Sequence, residues 1–286
     1  MTNLKLLLLF IFFSSAGRVL SQSKMDMNTI FVCIPATDYA SLFSNQFVKD
    51  TLFFCKENTT RTDKDNYVGK YFMGEFATLE FLQPSGNMNF GDQLNDIGIE
   101  FKSRKIGLLD SLKNSNSKLE IEIEKVVYQE SDNEKYAWYD ALKLKENKTN
   151  LEFSILEYSA EYLKVLGFAE EDLKKSISPT DFNTVVYGNN KYPRKFKSIK
   201  SVELEVNTEG LKYLKQVSNK FHFKTNKNSI EYNGFKIQYS LHKKLQKIRI
   251  KNIEINLTES LPKIFMAVSP NIDLAISNNT AKLIFK

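Results

Sequence analysis

The chain has 286 residues, of which 42% are hydrophobic and 26% charged, and a formal net charge of +6. That length holds one large or two ordinary domains, and that composition is ordinary for a folded globular protein. Only 6 Pro and 11 Gly exclude a disordered or collagen-like chain, while 22 Phe and 13 Tyr suit strands.

Residues 1–21 read as a secretory signal peptide. Lys5 precedes the apolar run 6–13, which is well short of the roughly 20 residues that span a bilayer. Val19 and Ser21 fit the small-residue rule at −3 and −1, so cleavage is expected after Ser21. The chain is therefore expected to be exported, to the periplasm or beyond the cell. Export permits a disulfide, and both a Cys33–Cys55 bridge and two buried free thiols stay open. Neither Cys has a His nearby in sequence, which argues against a nucleophilic thiol. Asn58, Asn147, Asn256 and Asn278 head glycosylation sequons that a Lys-, Asn- and Ile-rich composition produces by itself.

From about residue 28, Ile30, Val32 and Ile34 alternate with Thr29, Phe31 and Cys33, the period of a two-faced strand. Tyr39, Leu42, Phe43 and Phe47 then predict a helix of about three turns. Strands are expected over 53–57, 67–75 and 78–82, with a polar turn over 59–66, and Pro84 closes the unit. A Gly- and Asn-rich loop, 85–95, leads to a second unit. Its opening strand puts Ile97, Ile99 and Phe101 on one face and Asp96, Gly98 and Glu100 on the other. A short helix carrying Ile106, Leu109 and Leu112 follows, then strands over 119–124, 136–145 and 151–156 and a helix over 157–166. Residues 176–194 read as a polar connection and a domain boundary. Beyond it the order restarts: a strand over 201–206, a helix N-capped by Thr208, a hairpin of strands over 229–232 and 235–241 around Asn233-Gly234, a strand over 248–255, and apolar runs in 261–286 fit for edge strands.

Two units thus share one order, βαβββ, and each ends in Leu-Glu-Phe. Thr29 to Glu80 is 51 positions, and Glu100 to Glu152 is 52. The fold class is α+β: tandem βαβββ modules whose curved mixed sheets enclose a cleft, plus a C-terminal βαβββ-like unit. The expected domains are 28–168, with modules 28–84 and 95–158, and 195–286.

Tandem βαβββ modules resemble the glyoxalase, bleomycin-resistance and extradiol-dioxygenase superfamily, the vicinal oxygen chelate fold. The residues that carry the likeness are Thr29-Ile30-Phe31-Val32, the segment 67–75, Leu79-Glu80-Phe81, Gly98-Ile99-Glu100-Phe101 and Leu151-Glu152-Phe153. More narrowly, the chain resembles an uncharacterised glyoxalase-like family of exported bacterial proteins. The superfamily implies a divalent metal held by first- and last-strand side chains, acting as a Lewis acid. Carried over residue by residue, Glu80 and Glu152 take the last-strand positions, and Glu100 is the weaker third ligand. The first-strand position of module one falls on Thr29, beside Asn28, where relatives tend to have His. The only two His, His222 and His242, lie outside both modules. An all-oxygen set of Glu80, Glu100 and Glu152 implies Mg, Mn or Ca. Without a cation three converging carboxylates would repel, unless Arg61, Lys70 or Lys102 paired with them. Against this stands the plain reading of Glu in an alternating strand as a solvated face, as in Glu120, Glu122 and Glu124.

No Gly-x-Ser-x-Gly elbow and no phosphate loop is present. Between residues 191 and 251, 16 Lys or Arg face four Glu, with aromatics interleaved. Export argues against nucleic acid as the partner of this stretch and leaves an anionic envelope component. Three functions stay open: binding of a small-molecule ligand in the cleft, a metal-dependent lyase, isomerase or dioxygenase with Glu80, Glu152 and Glu100 as ligands, and envelope attachment through the basic C-terminal unit.

Overall fold

The computed structural model describes residues 23–286 apart from 88, 115–119, 132–133, 146 and 189–193. The expected signal peptide lies outside these residues, as does Leu119 at the head of an expected strand. The first unit is β1 (Met25–Cys33), α1 (Ala36–Ser41), β2 (Phe54–Arg61), β3 (Asn66–Met73) and β4 (Thr78–Leu82). The second is β5 (Ile97–Ser103), α2 (Leu108–Lys113), β6 (Ile121–Gln129), β7 (Lys135–Leu144) and β8 (Leu151–Tyr158). Together they form one eight-stranded sheet of order β2-β3-β4-β1-β5-β8-β7-β6. Each unit pairs its first and last strands in parallel, β1 with β4 and β5 with β8, and the units join antiparallel through β1 and β5. The duplicated βαβββ architecture is therefore present.

This sheet curls until its two edges touch. Thr62, after β2, bridges to Tyr128 of β6. Asp63 N donates to Val127 O at 3.0 Å, and Val127 N returns the bond to Asp63 Oδ1 at 2.9 Å. The turn expected over 59–66 is thus shorter, because β2 continues to Arg61, and its tip fastens the far edge.

After α3 (Ala160–Val165) and α4 (Pro179–Tyr187), the third unit runs β9 (Phe196–Val206), α5 (Thr208–Phe221), β10 (Lys224–Asn226), β11 (Ser229–Tyr232) and β12 (Phe235–Leu241). Its sheet order, β10-β11-β12-β9, repeats that of the first unit, with β12 parallel to β9. Among the described residues a hairpin, not a fourth module, comes next. The hairpin of β13 (Arg249–Ser269) and β14 (Ile272–Phe285) takes its place, β13 lying antiparallel to β9 as β5 lies to β1. The turn at Asn233-Gly234 has φ of 48° and 82°, as the sequence signal required.

The two sheets pack through one shared core. Ile97, Ile99, Phe101, Phe153 and Ile155 meet Leu214, Val217, Phe221, Phe223 and Ile237 in a single buried cluster. Phe153 stacks on Phe221 at 5.2 Å, and Phe101 lies 5.7 Å from Phe235. Each such fully buried side chain contributes about 1.5–3 kcal/mol. Polar bonds align the sheets: Phe153 N donates to Tyr213 Oη at 2.9 Å, and Asn271 N and Nδ2 donate to the Asp38 carboxylate at 2.8 and 2.9 Å.

Three helical expectations change. The helix expected through Tyr39 and Phe47 stops at Ser41, because Asn45 Oδ1 accepts from Val48 N and starts a separate wide turn, Val48–Leu52. The expected connection over 176–194 contains α4, opened by a Ser178–Asp181 capping box with Pro179 in the first turn. The cap of α5 is Asn207, which accepts from Gly210 N at 2.8 Å, one residue before the expected Thr208. The strand expected to end at 255 continues to Ser269 and carries β14 as a sheet edge.

Candidate functional site

Because successive side chains of a strand face opposite sides, the residues between the core positions of the first sheet line its inner, concave face. There the curled sheet encloses a cavity of about 650 Å³. Glu80, Glu100 and Glu152 all line it, so the structure brings the three sequence-selected glutamates into one space. Strand register explains how. Glu80 of β4 is opposite Phe31 of β1, Phe31 is opposite Gly98 of β5, and Gly98 is opposite Glu152 of β8. Glu80 and Glu152 are thus the two ends of one row across four strands. In the next row Thr29, Glu100, Ser154 and Lys143 follow one another across β1, β5, β8 and β7. Asp96, which shares their face, turns aside: its Oδ2 accepts from Gly91 N and Gln93 N at 2.9 and 3.2 Å.

Two glycines make the row possible. A Cβ on Gly98 would lie 1.8 Å from the Phe31 ring, and one on Gly69 would lie 2.8 Å from Glu80 Oε1. Gly98 therefore seats Phe31 flat in the cavity floor, and Gly69 leaves room for the Glu80 carboxyl. Phe31 in turn meets Phe90 edge-on at 5.9 Å.

The carboxyls differ in their surroundings. Glu152 is paired with the Lys143 ammonium at 3.1 Å, and Glu124 lies 3.5 Å from the same nitrogen. Burial opposes the Lys143 charge, but Glu152, with Glu124 and Glu100, outweighs it and holds Lys143 above the usual lysine range. Glu80 is 9% exposed, and its Oε1 has no hydrogen-bond partner. Burial pushes its carboxyl up to about 7 against a smaller pull from Tyr71. Glu100 rises to about 8, first from burial and then from the charges of Glu80 and Glu152, opposed by Lys143 and the Thr29 hydroxyl. Burial raises the Tyr67 and Tyr139 phenols in the same wall, which keeps them protonated.

The cations expected beside these glutamates are elsewhere. Lys70 Nζ donates to Tyr39 O at 2.8 Å and lies 4.6 Å over the Tyr39 ring. Lys102 sits 3.6 Å over Phe182, where burial lowers its ammonium to about 8. Arg61 is exposed at the end of β2. The cations that do line the cavity are Lys64 and Lys143; Lys143, together with Tyr67, Tyr139 and Phe31, is the part of the site that sequence reading missed. Its only signal was the four-residue spacing from Tyr139, which puts both on one face of β7.

The residues present do not fit the implied divalent metal. Glu80 and Glu152 stand at opposite ends of the row, with Phe31 and Gly98 between them. Among the described residues no group of three His, Cys, Asp or Glu is close enough to hold an ion. Lys143 already supplies the positive charge beside Glu152. Cys33 and Cys55 are free, and burial lifts both thiols to about 12, far from a reactive thiolate.

One family model, described as "Family of unknown function (DUF5829)", matches residues 27–285. No curated protein matches the sequence. Among solved structures, a hypothetical protein from Staphylococcus aureus is similar in fold, with a TM-score of 0.52 at 9% identity over 85% of this chain and 95% of that one. A variant of 4-hydroxymandelate synthase from Streptomyces coelicolor aligns with a TM-score of 0.44 at 8% identity, over 80% of this chain and 70% of that one.

Proposed function

We propose that this chain, which belongs to the DUF5829 family of unknown function, is an exported glyoxalase-like protein that binds a small organic molecule in the cavity of its first sheet. The observation that carries the proposal is the cavity itself, about 650 Å³, in which the rings of Phe31, Tyr67, Phe90 and Tyr139 stand among a larger set of polar and charged side chains. That size is that of small-molecule sites, which run to roughly 300–1,000 Å³. The paired βαβββ topology supports the glyoxalase-like reading, and the proposed export rests on the apolar run 6–13. A metal-dependent reaction is a weaker reading, since the carboxyls are spread along a row and one is held by Lys143. Catalysis forms no part of the proposal.

The test is a thermal-shift screen of a chemically mixed fragment library against the wild type, Leu82→Trp and Thr59→Trp. Both positions line the cavity from different strands. Fragments that stabilise the wild type are expected to lose their effect in both variants. Hits that survive both substitutions, or a library that yields no hit, would overturn the proposal.

A further inference from the structure

The charge inside the cavity is opposite to that of the protein. The chain carries +6, yet the cavity is lined by six carboxyls (Asp65, Glu80, Asp92, Glu100, Glu124 and Glu152) against two ammonium groups, Lys64 and Lys143. Most of these have partners. Asp65 accepts from Asn89 at 3.1 Å, Asp92 from Ser85 at 2.5 Å, and Glu124 and Glu152 share Lys143. Asp65, Asp92, Glu80 and Glu100 have no Lys, Arg or His at ion-pair distance among the described residues, and of these only Glu80 and Glu100 stand on the strands of the cavity floor. Glu80 Oε1, like Asp92 Oδ2, is a buried oxygen without a hydrogen-bond partner, and the Tyr71 hydroxyl is the side-chain group drawn toward the Glu80 carboxyl. An unpartnered buried carboxyl oxygen is destabilising, and the side chain lines a cavity rather than packed core. Aromatic rings of Phe31, Phe90, Tyr67 and Tyr139 share the same wall, and ring faces attract cations.

We propose that the molecule bound in this cavity is an organic cation, an ammonium or guanidinium on a partly apolar body, whose charge is met by Glu80 and Glu100. This rests on the cavity reading above and adds the class of ligand. An N–H donor supplies what Glu80 Oε1 lacks, and a positive charge offsets the excess of carboxyls. An anion of the same size meets those carboxyls across a desolvated space and is rejected.

Calorimetric titration tests this with phenethylamine and agmatine as cations, 2-phenylethanol as the uncharged counterpart and 3-phenylpropanoate as the anion. The cations are expected to bind the wild type at least tenfold more tightly than 2-phenylethanol, with no binding of 3-phenylpropanoate. Glu80→Gln and Glu100→Gln, which keep the shape of each side chain, are expected to reduce cation binding tenfold or more and to leave 2-phenylethanol unchanged. Circular dichroism checks that both variants fold. If 2-phenylethanol or 3-phenylpropanoate binds as tightly as the cations and is lost in Leu82→Trp, the cation proposal fails while the cavity reading stands. Cation binding that survives Leu82→Trp or both glutamine variants is surface binding and also overturns it. So does a cavity that accepts fragments from the mixed library but neither cation.

Discussion

Burial keeps Glu80 and Glu100 protonated to higher pH than in an unfolded chain, and a cation bound beside them would draw those protons off. Their carboxyls move from 4.5 to about 7 and about 8, chiefly through burial. A raised carboxyl favours the folded state below its unfolded value, and that contribution is lost as pH rises through the folded value. The window is therefore about pH 4.5 to 8, and stability declines across it. At about 1.4 kcal/mol per unit, Glu80→Gln should recover about 3 kcal/mol at pH 8 and less than about 1 kcal/mol at pH 5. Chemical denaturation of the wild type and Glu80→Gln at both pH values checks this, and parallel curves would count against it. The glutamates were legible in sequence because a repeated Leu-Glu-Phe fell at equal spacing. Lys143, Phe31 and Tyr67 were not, because nothing local separates a cavity-facing strand residue from a solvent-facing one. Gly98 did carry a signal: a glycine inside an apolar strand marks a close approach, here the Phe31 ring.

Among the elements, strands bounded by turn signals were the most legible. β4, β11 and β12 match their expected bounds, since a turn at one or both ends leaves little freedom. Helices were less so. Apolar spacing suggested one long helix where Asn45 starts a separate turn, and the Ser-x-x-Asp box ahead of α4 was passed over in a polar stretch. Closure of the first sheet was beyond reach, because it joins residues more than 60 positions apart. That closure protects two edge strands from unwanted pairing and depends on few bonds. Asp63→Ala removes the acceptor for Val127 N and should cost about 1 kcal/mol. Hydrogen exchange should show Val127 opening faster while β1 and β5 keep their protection. Unchanged exchange at Val127 would mean that the edges are held by other contacts.

At the scale of the whole molecule, three βαβββ units and a hairpin make a pair of sheets with a common core. The third unit repeats the first in strand order, and the hairpin of β13 and β14 covers what a fourth module would have covered. With Phe101, Phe153, Phe221 and Phe223 in one cluster, neither sheet can leave without exposing the other. Thermal unfolding followed by calorimetry and by tyrosine fluorescence should therefore give one coincident transition. Two separated transitions would show that the sheets are held by weaker contacts than this packing implies.

The row of residues that joins Glu80, Phe31, Gly98 and Glu152 shares its strands with the core, on alternate positions. Odd and even residues of β1, β4, β5 and β8 thus answer to different constraints, one set to packing and the other to the cavity. Substitution within one set can change the cavity lining while the other set keeps the core. A single inserted residue in β5 would exchange the two roles beyond it, turning Phe101 toward the cavity and Glu100 into the core. A lineage of such proteins can therefore diversify by substitution in these four strands, while their lengths stay locked.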